Sequence, residues 1–191
     1  MPEGAGEGIV RGLYRLAAAP AIDGGAKAEV RLVGSGSILT QVIAARDLLA
    51  TRLGIAAEVY SATSFQQLRR DGLEAERWNR LHPDRPARVP YVGQVLGAEG
   101  GPIVIATDWI RTLPDAVARW IPAPTLVLGT DGFGRSDTRE ALRDWFEIDA
   151  AHIAAAALAG LARSGGIDPG VAAAAIAELG VDPEAADPLR A

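Results

Sequence analysis

The sequence contains no cysteine, one methionine, a single lysine (Lys27) and two histidines, His82 and His152. Without cysteine there is no disulfide, no thiol nucleophile and no thiolate metal site. The two histidines lack a His-x-x-x-His or similar spacing, so an imidazole metal centre has little to be built from. Histidine is too scarce for a Ser-His-Asp arrangement to be assigned. A basic excess is missing too. The net charge is -5 and the pI is about 5.1, so no surplus cation is available to neutralise a phosphate backbone, and nucleic acid is not an expected partner. Long apolar runs are also lacking: the Ala-rich stretch 150–161 is too short to cross a bilayer and holds His152, so a membrane is not an expected partner either. The opening MPEGAGEGIV has no basic region followed by an apolar core, as a signal peptide would. A cytoplasmic location is the resulting expectation.

What is present suffices for one domain with tails. The 191 residues are 49% hydrophobic and 23% charged, enough for a sizeable core and too apolar for disorder. Residues 1–27 read as a lead-in, with a short amphipathic piece over 8–18 (Ile9, Leu13, Leu16 at near-helical spacing) before Pro20 and the Gly24-Gly25 break. From residue 28 to about 185 strand and helix patterns alternate. Strands are predicted around Val30–Val33, Ala57–Ser61, Ile103–Ile105 and Leu126–Leu128. Helices are predicted after Ser37 and after Ser64 (to about Leu73), each capped by the serine hydroxyl, and from Pro114. Asp137 and Glu140 have capping-box spacing before Leu142 and Trp145. Two Ala-rich helices close the domain, the second opened by Asp168-Pro169 and ended at Gly180. Residues 76–91, polar and with three prolines, read as an ordered excursion without regular structure. Residues 186–191 read as a tail with little to pack. Alternation of this kind implies an α/β domain with a mostly parallel sheet and helices on both faces.

Three segments stand out as candidate sites. The turn holding Gly34, Ser35, Gly36 and Ser37 lies between a strand and a helix, where free N–H groups can receive an anion; a purely structural tight turn is the plainer role. It has neither the third glycine of a dinucleotide fingerprint nor the Gly-Lys-Ser/Thr of a P-loop. Residues 129–137 (GTDGFGRSD) follow a strand, where open α/β sheets place ligand crevices. There Asp131 can pair with Arg135 and Phe133 can stack on a partner, or the loop can serve shape alone. Trp78 sits among Asp71, Glu74, Glu76, Arg77 and Arg80, a setting for an arginine stacked on an indole at an interface or for a solvated loop with one aromatic anchor. Neighbouring His82 is a candidate for proton transfer at a subunit interface.

Six segments, in order, resemble one family: PEGAGEGIVRGLYRL, VRLVGSGSIL, VYSATSFQQLRRDGLEAERWNRLHP, RVPYVGQVL, IVIATDWIR and LGTDGFGRSDTREALRDWFEIDAAHIAAAAL. They are similar to the C-terminal part of the single-chain, homodimeric pyruvate dehydrogenases, the decarboxylating first component of the pyruvate dehydrogenase complex. DGLEAERWNRLHP and TDGFGRSDTRE are the most specific of these. The resemblance implies a transketolase-like enzyme whose two upstream domains bind thiamine diphosphate and magnesium between subunits. It also implies a C-terminal domain with a mixed five-stranded sheet in a three-layer α/β/α arrangement.

On that resemblance, the cofactor ligands and a catalytic histidine belong to the upstream part, so no catalytic, cofactor-binding or metal-binding residue is carried over onto this sequence. What remains for these residues is assembly and partner contact: with the upstream thiamine-binding domains, with a second copy, and within the complex with the dihydrolipoyl acetyltransferase component. The alternatives are a split subunit active with a separate N-terminal partner, and an anion- or nucleotide-binding regulatory module.

Overall fold

The structure is a computed structural model that describes residues 2–190; Met1 and Ala191, the outer ends of the expected lead-in and tail, lie outside them. Strands β1 (Leu13–Ala17), β2 (Ala28–Ser35), β3 (Ile55–Ala62), β4 (Ile103–Ala106) and β5 (Thr125–Leu128) form one sheet in the order β1-β3-β2-β4-β5. Neighbours are parallel except β1, which runs antiparallel along β3.

Parallel strands need crossover connections, and crossovers cover both faces, so such strands are apolar at successive positions. Val30, Leu32, Val59, Val104 and Ala106 pack on one face with α2 (Leu39–Leu48), α7 (Ala150–Arg163) and α8 (Pro169–Glu178). Leu13, Val33, Tyr60, Ile103 and Ile105 pack on the other, with α3 (Phe65–Leu81), α4 (Tyr91–Leu96) and α5 (Thr112–Ala118) nearby. The three-layer α/β/α architecture with a mostly parallel five-stranded sheet is therefore as expected.

The lead-in is a different matter. Instead of one amphipathic helix it contains α1 (Gly6–Arg11) and then β1, the fifth strand of the sheet. Gly12, at φ 102, ends the helix in a left-handed conformation, and a Cβ there would lie 2.6 Å from Ser64 O. Its carbonyl accepts the N–H of Thr63 at 2.9 Å and of Ser64 at 3.2 Å. The Tyr91 hydroxyl donates to Leu13 O at 2.9 Å, and the Arg11 guanidinium lies 3.7 Å from the centre of the Tyr91 ring. Residues 6–17 are thus built into the sheet, and a linker over 1–27 does not describe them.

Three local expectations also change. Helix α3 continues to Leu81, so the first part of the supposed excursion is helical. Its buried face, Phe65, Leu68, Gly72 and Ala75, keeps helical spacing straight through Gly72, whose bare backbone lies against the Trp120 indole. Ser64 caps α3 as expected, accepting Gln67 N–H at 3.1 Å. Ser37 does not cap α2: it lies inside a 3-10 turn, Gly36–Ile38, that precedes the helix. The cap of α6 (Arg139–Trp145) is Thr138, accepting Ala141 N–H at 3.2 Å, with Asp137 accepting Thr138 N–H.

By composition residues 139–163 are apolar and long enough to cross a membrane. Glu147, at φ 56, and the capping residue Asp149 instead separate α6 from α7. Ile153, Ala154, Ala157, Leu158 and Leu161 of α7 then bury in the core, which accounts for the hydrophobicity.

One cation is buried in this core. Arg31 on β2 is 2% exposed. Its guanidinium donates to the carbonyls of Leu96, of Gly97 (3.0 Å) and of Gly101 (2.6 Å), pinning the loop between α4 and β4.

Candidate functional site

Chain order decides where a crevice opens. From β2 the chain passes to β3 on one side; from β3 it crosses back over β2 to β4 on the other. The strand-end gap between β2 and β4 is therefore the switch point at which open α/β sheets bind ligands. The Gly34 to Ser37 turn leaves β2 there, and Asp108 follows β4. The two loops meet: Ser37 Oγ–H donates to Asp108 Oδ2 at 3.0 Å. Gly36, at φ 59, brings its backbone so close that a Cβ would lie 2.8 Å from Asp108 Oδ1.

That contact bears on the anion-binding role of the turn. The chain's own carboxylate already lies against Gly36 and Ser37, so an incoming anion would meet a negative charge there. The Ser37 bond and the close approach of Gly36 join this turn to the loop after β4. Ser35 is in the extended conformation at the end of β2, and its side chain makes no capping bond.

The 129–137 loop joins the same end of the sheet. Thr130 donates its backbone N–H to Trp109 O and its hydroxyl to Asp108 O, each at 3.0 Å. Asp131 pairs with Arg111, accepting from the guanidinium and from the backbone N–H. The expected Asp131–Arg135 pair does not form, because Arg111 reaches Asp131 from the neighbouring strand-end loop. Arg135 instead lies over the Trp145 indole, 3.7 Å from the ring centre. Gly132, at φ 96, would place a Cβ 2.5 Å from Pro188 O, so Pro188 and Leu189 pack against this loop. Phe133 stands out into solvent. Between these loops and α6 lies an open cleft of about 470 Å³ whose walls include Ser37, Asp108, Thr130, Arg139, Arg143 and Phe146.

Trp78 and His82 lie at the far end of α3 and line no part of this cleft. His82 stacks on Trp78 (centroids 4.6 Å apart, 13° between planes) and its Nδ1–H donates to Trp78 O at 2.9 Å. Arg88 covers the indole at 4.2 Å. An arginine does stack on Trp78, but the carboxylates go elsewhere: Glu76 accepts from Arg119 and from Trp120 Nε1–H, and Asp71 accepts Tyr91 N–H.

The other histidine has a partner that spacing hides less well than its surroundings do. Asp149 caps α7 by accepting His152 N–H at 2.9 Å, and the same oxygen accepts the ring Nδ1–H at 2.8 Å. That bond raises the His152 pKa against the lowering effect of burial. Burial by itself raises the Asp149 pKa, yet the bonds from the His152 ring and backbone outweigh it and hold the carboxyl below its ordinary value. With Asp144 nearby, this is a group of metal-ligand type. Its chemistry fits a helix cap better than a cation bound to a diphosphate, because Asp149 Oδ1 and His152 Nδ1 are committed to each other. The cleft itself carries both signs of charge, with Asp108 and Asp137 on its walls beside Arg139 and Arg143.

Sheet order, crossover faces and the strand-end crevice define an open α/β/α domain with a mostly parallel sheet. The chain belongs to the transketolase-like TK C-terminal domain family, whose pattern matches residues 12–149. It is 47% identical over 190 residues to the pyruvate dehydrogenase E1 component of Pseudomonas aeruginosa, covering 99% of this chain and 21% of that protein. With the Escherichia coli pyruvate dehydrogenase E1 component it shares 48% identity over 189 residues, covering 98% and 21%. The chain thus matches a C-terminal domain of such components and spans about one fifth of their length. In fold it is similar to transketolase from Leishmania mexicana, with a TM-score of 0.53 and 20% identity over 82% of this chain and 19% of that one.

Proposed function

We propose that this chain is the C-terminal assembly domain of a thiamine diphosphate-dependent pyruvate dehydrogenase, inactive by itself. The intact enzyme decarboxylates pyruvate in the cytoplasm and reductively acetylates the lipoyl group of its dihydrolipoyl acetyltransferase partner. The observation that carries this is the near end-to-end likeness of the chain to one fifth of each relative. When bound by the upstream domains, thiamine diphosphate supplies the carbanion chemistry. The role of these residues is to hold those domains in a homodimer.

The test is an assay of pyruvate decarboxylation with thiamine diphosphate and magnesium, for the chain alone and with the upstream domains supplied. Activity is expected only in the second case. Turnover by the chain alone would overturn the proposal.

A further inference from the structure

The strand-end loops expose a group of large apolar side chains that, among the described residues, stay uncovered. Phe133 is 86% exposed, Trp109 61% and Ile110 50%. Trp109 and Ile110 follow β4, Phe133 follows β5, and the two hydrogen bonds of Thr130 tie the loops together. All three residues therefore leave the sheet at one end.

These residues are held, not dangling. The Phe133 loop is fixed on one side by the Asp131–Arg111 pair and on the other by Arg135 on Trp145, with Gly132 packed under Pro188. An aromatic presented on a fixed loop loses little conformational freedom when it is covered, which makes it an effective anchor at an interface. Arg139 and Arg143, beside these loops on α6, have no ion-pair partner among the described residues. They form a cationic border to the apolar group.

We infer that Trp109, Ile110 and Phe133 form the docking surface for the upstream four fifths of the same enzyme, which meets them with an apolar pocket edged by carboxylates. This rests on the domain reading above. The occupant is argued from length: relatives that match this chain over 98–99% of its length extend about fourfold further, and that remainder is a neighbour large enough to cover this face. Phe133 at 86% exposure, on loops that also expose Trp109 and Ile110, belongs to the kind of apolar patch that marks an interaction surface.

The experiment is capture of the upstream region of the enzyme by the tagged chain, with affinity measured for the wild type, Phe133→Ala, Trp109→Ala and Val171→Ala. Val171, on α8, is as exposed as Trp109 and serves as the control. Phe133→Ala and Trp109→Ala should each weaken binding at least tenfold, raised salt should weaken the wild type, and Val171→Ala should change nothing. Unaltered circular dichroism and melting will show that the variants fold. If wild type and both variants bind alike, the docking surface is wrong and the domain reading stands. If the wild type does not bind at all, the domain reading fails with it. A dimer of the chain alone that Phe133→Ala makes monomeric would assign the surface to a second copy and overturn the inference.

Discussion

The Tyr91 hydroxyl and the Leu13 carbonyl, 2.9 Å apart, join the N-terminal strand β1 to helix α4 across 78 positions of sequence. Together with Arg11 on the Tyr91 ring, this bond makes residues 6–17 part of the domain. Tyr91→Phe should cost about 1 kcal/mol, the worth of one hydrogen bond, by urea unfolding. Deleting residues 1–17 should cost several times that, because it uncovers the β3 edge and removes buried Leu13. A truncated chain as stable as the whole would show that β1 is only loosely attached.

Gly72 sets two effects against each other. Alanine is favoured over glycine within a helix by about 0.5–1 kcal/mol. At this position, though, a Cβ would enter the Trp120 indole, itself tethered by its Nε1–H to Glu76 at 2.9 Å. Overpacking of this kind costs about 1–3 kcal/mol. Gly72→Ala should therefore lower the melting temperature; a rise would mean that Trp120 moves aside freely.

The Asp149–His152 pair sets a pH window. The depressed Asp149 pKa stabilises the fold above its ordinary value of 3.8, and that stability is lost as pH falls through the lower folded value. The raised His152 pKa stabilises the fold below 6.5, and that part is lost as pH rises through the higher folded value. The contribution is greatest between these ordinary values. His152→Gln should flatten the decline in urea midpoint between pH 6 and pH 8. An unchanged decline would exclude the pair as its origin.

Arg31 makes a local prediction. Arg31→Met keeps much of the apolar stem but leaves three carbonyls without their donor, at about 1–3 kcal/mol. The loss should fall on the 97–101 loop, so cleavage after Glu99 by a glutamate-specific protease should quicken. Equal cleavage rates in variant and wild type would mean that the loop holds itself.

Four of the five strands and the two-sided packing were legible in the sequence, because a buried parallel strand leaves a run such as Ile103, Val104 and Ile105 bounded by turn residues. The strand β1 was hidden by its edge position: only Leu13 is fully buried, and Ile9, Leu13 and Leu16 mimic a helical period. Gly72 and three nearby prolines concealed the true length of α3, since a glycine needed for close packing looks locally like a break. At the candidate site, the sequence located the two strand-end loops but not their pairings. Asp108 and Arg111 meet Ser37 and Asp131 only through the order of strands in the sheet, a relation that no local spacing records. Asp149 and His152 were missed as well, although an aspartate three residues before a histidine at a helix start is a readable signal.

The antiparallel placement of β1 has a consequence for synthesis. Leu13 pairs with Ala62, so β1, once it leaves the ribosome, has no β3 neighbour until 49 more residues have followed. At usual rates of translation that is a wait of roughly 2–10 s. During it Leu13, Tyr14 and Leu16 are open to wrong pairings, so the nascent chain should be most dependent on chaperones before β3 emerges.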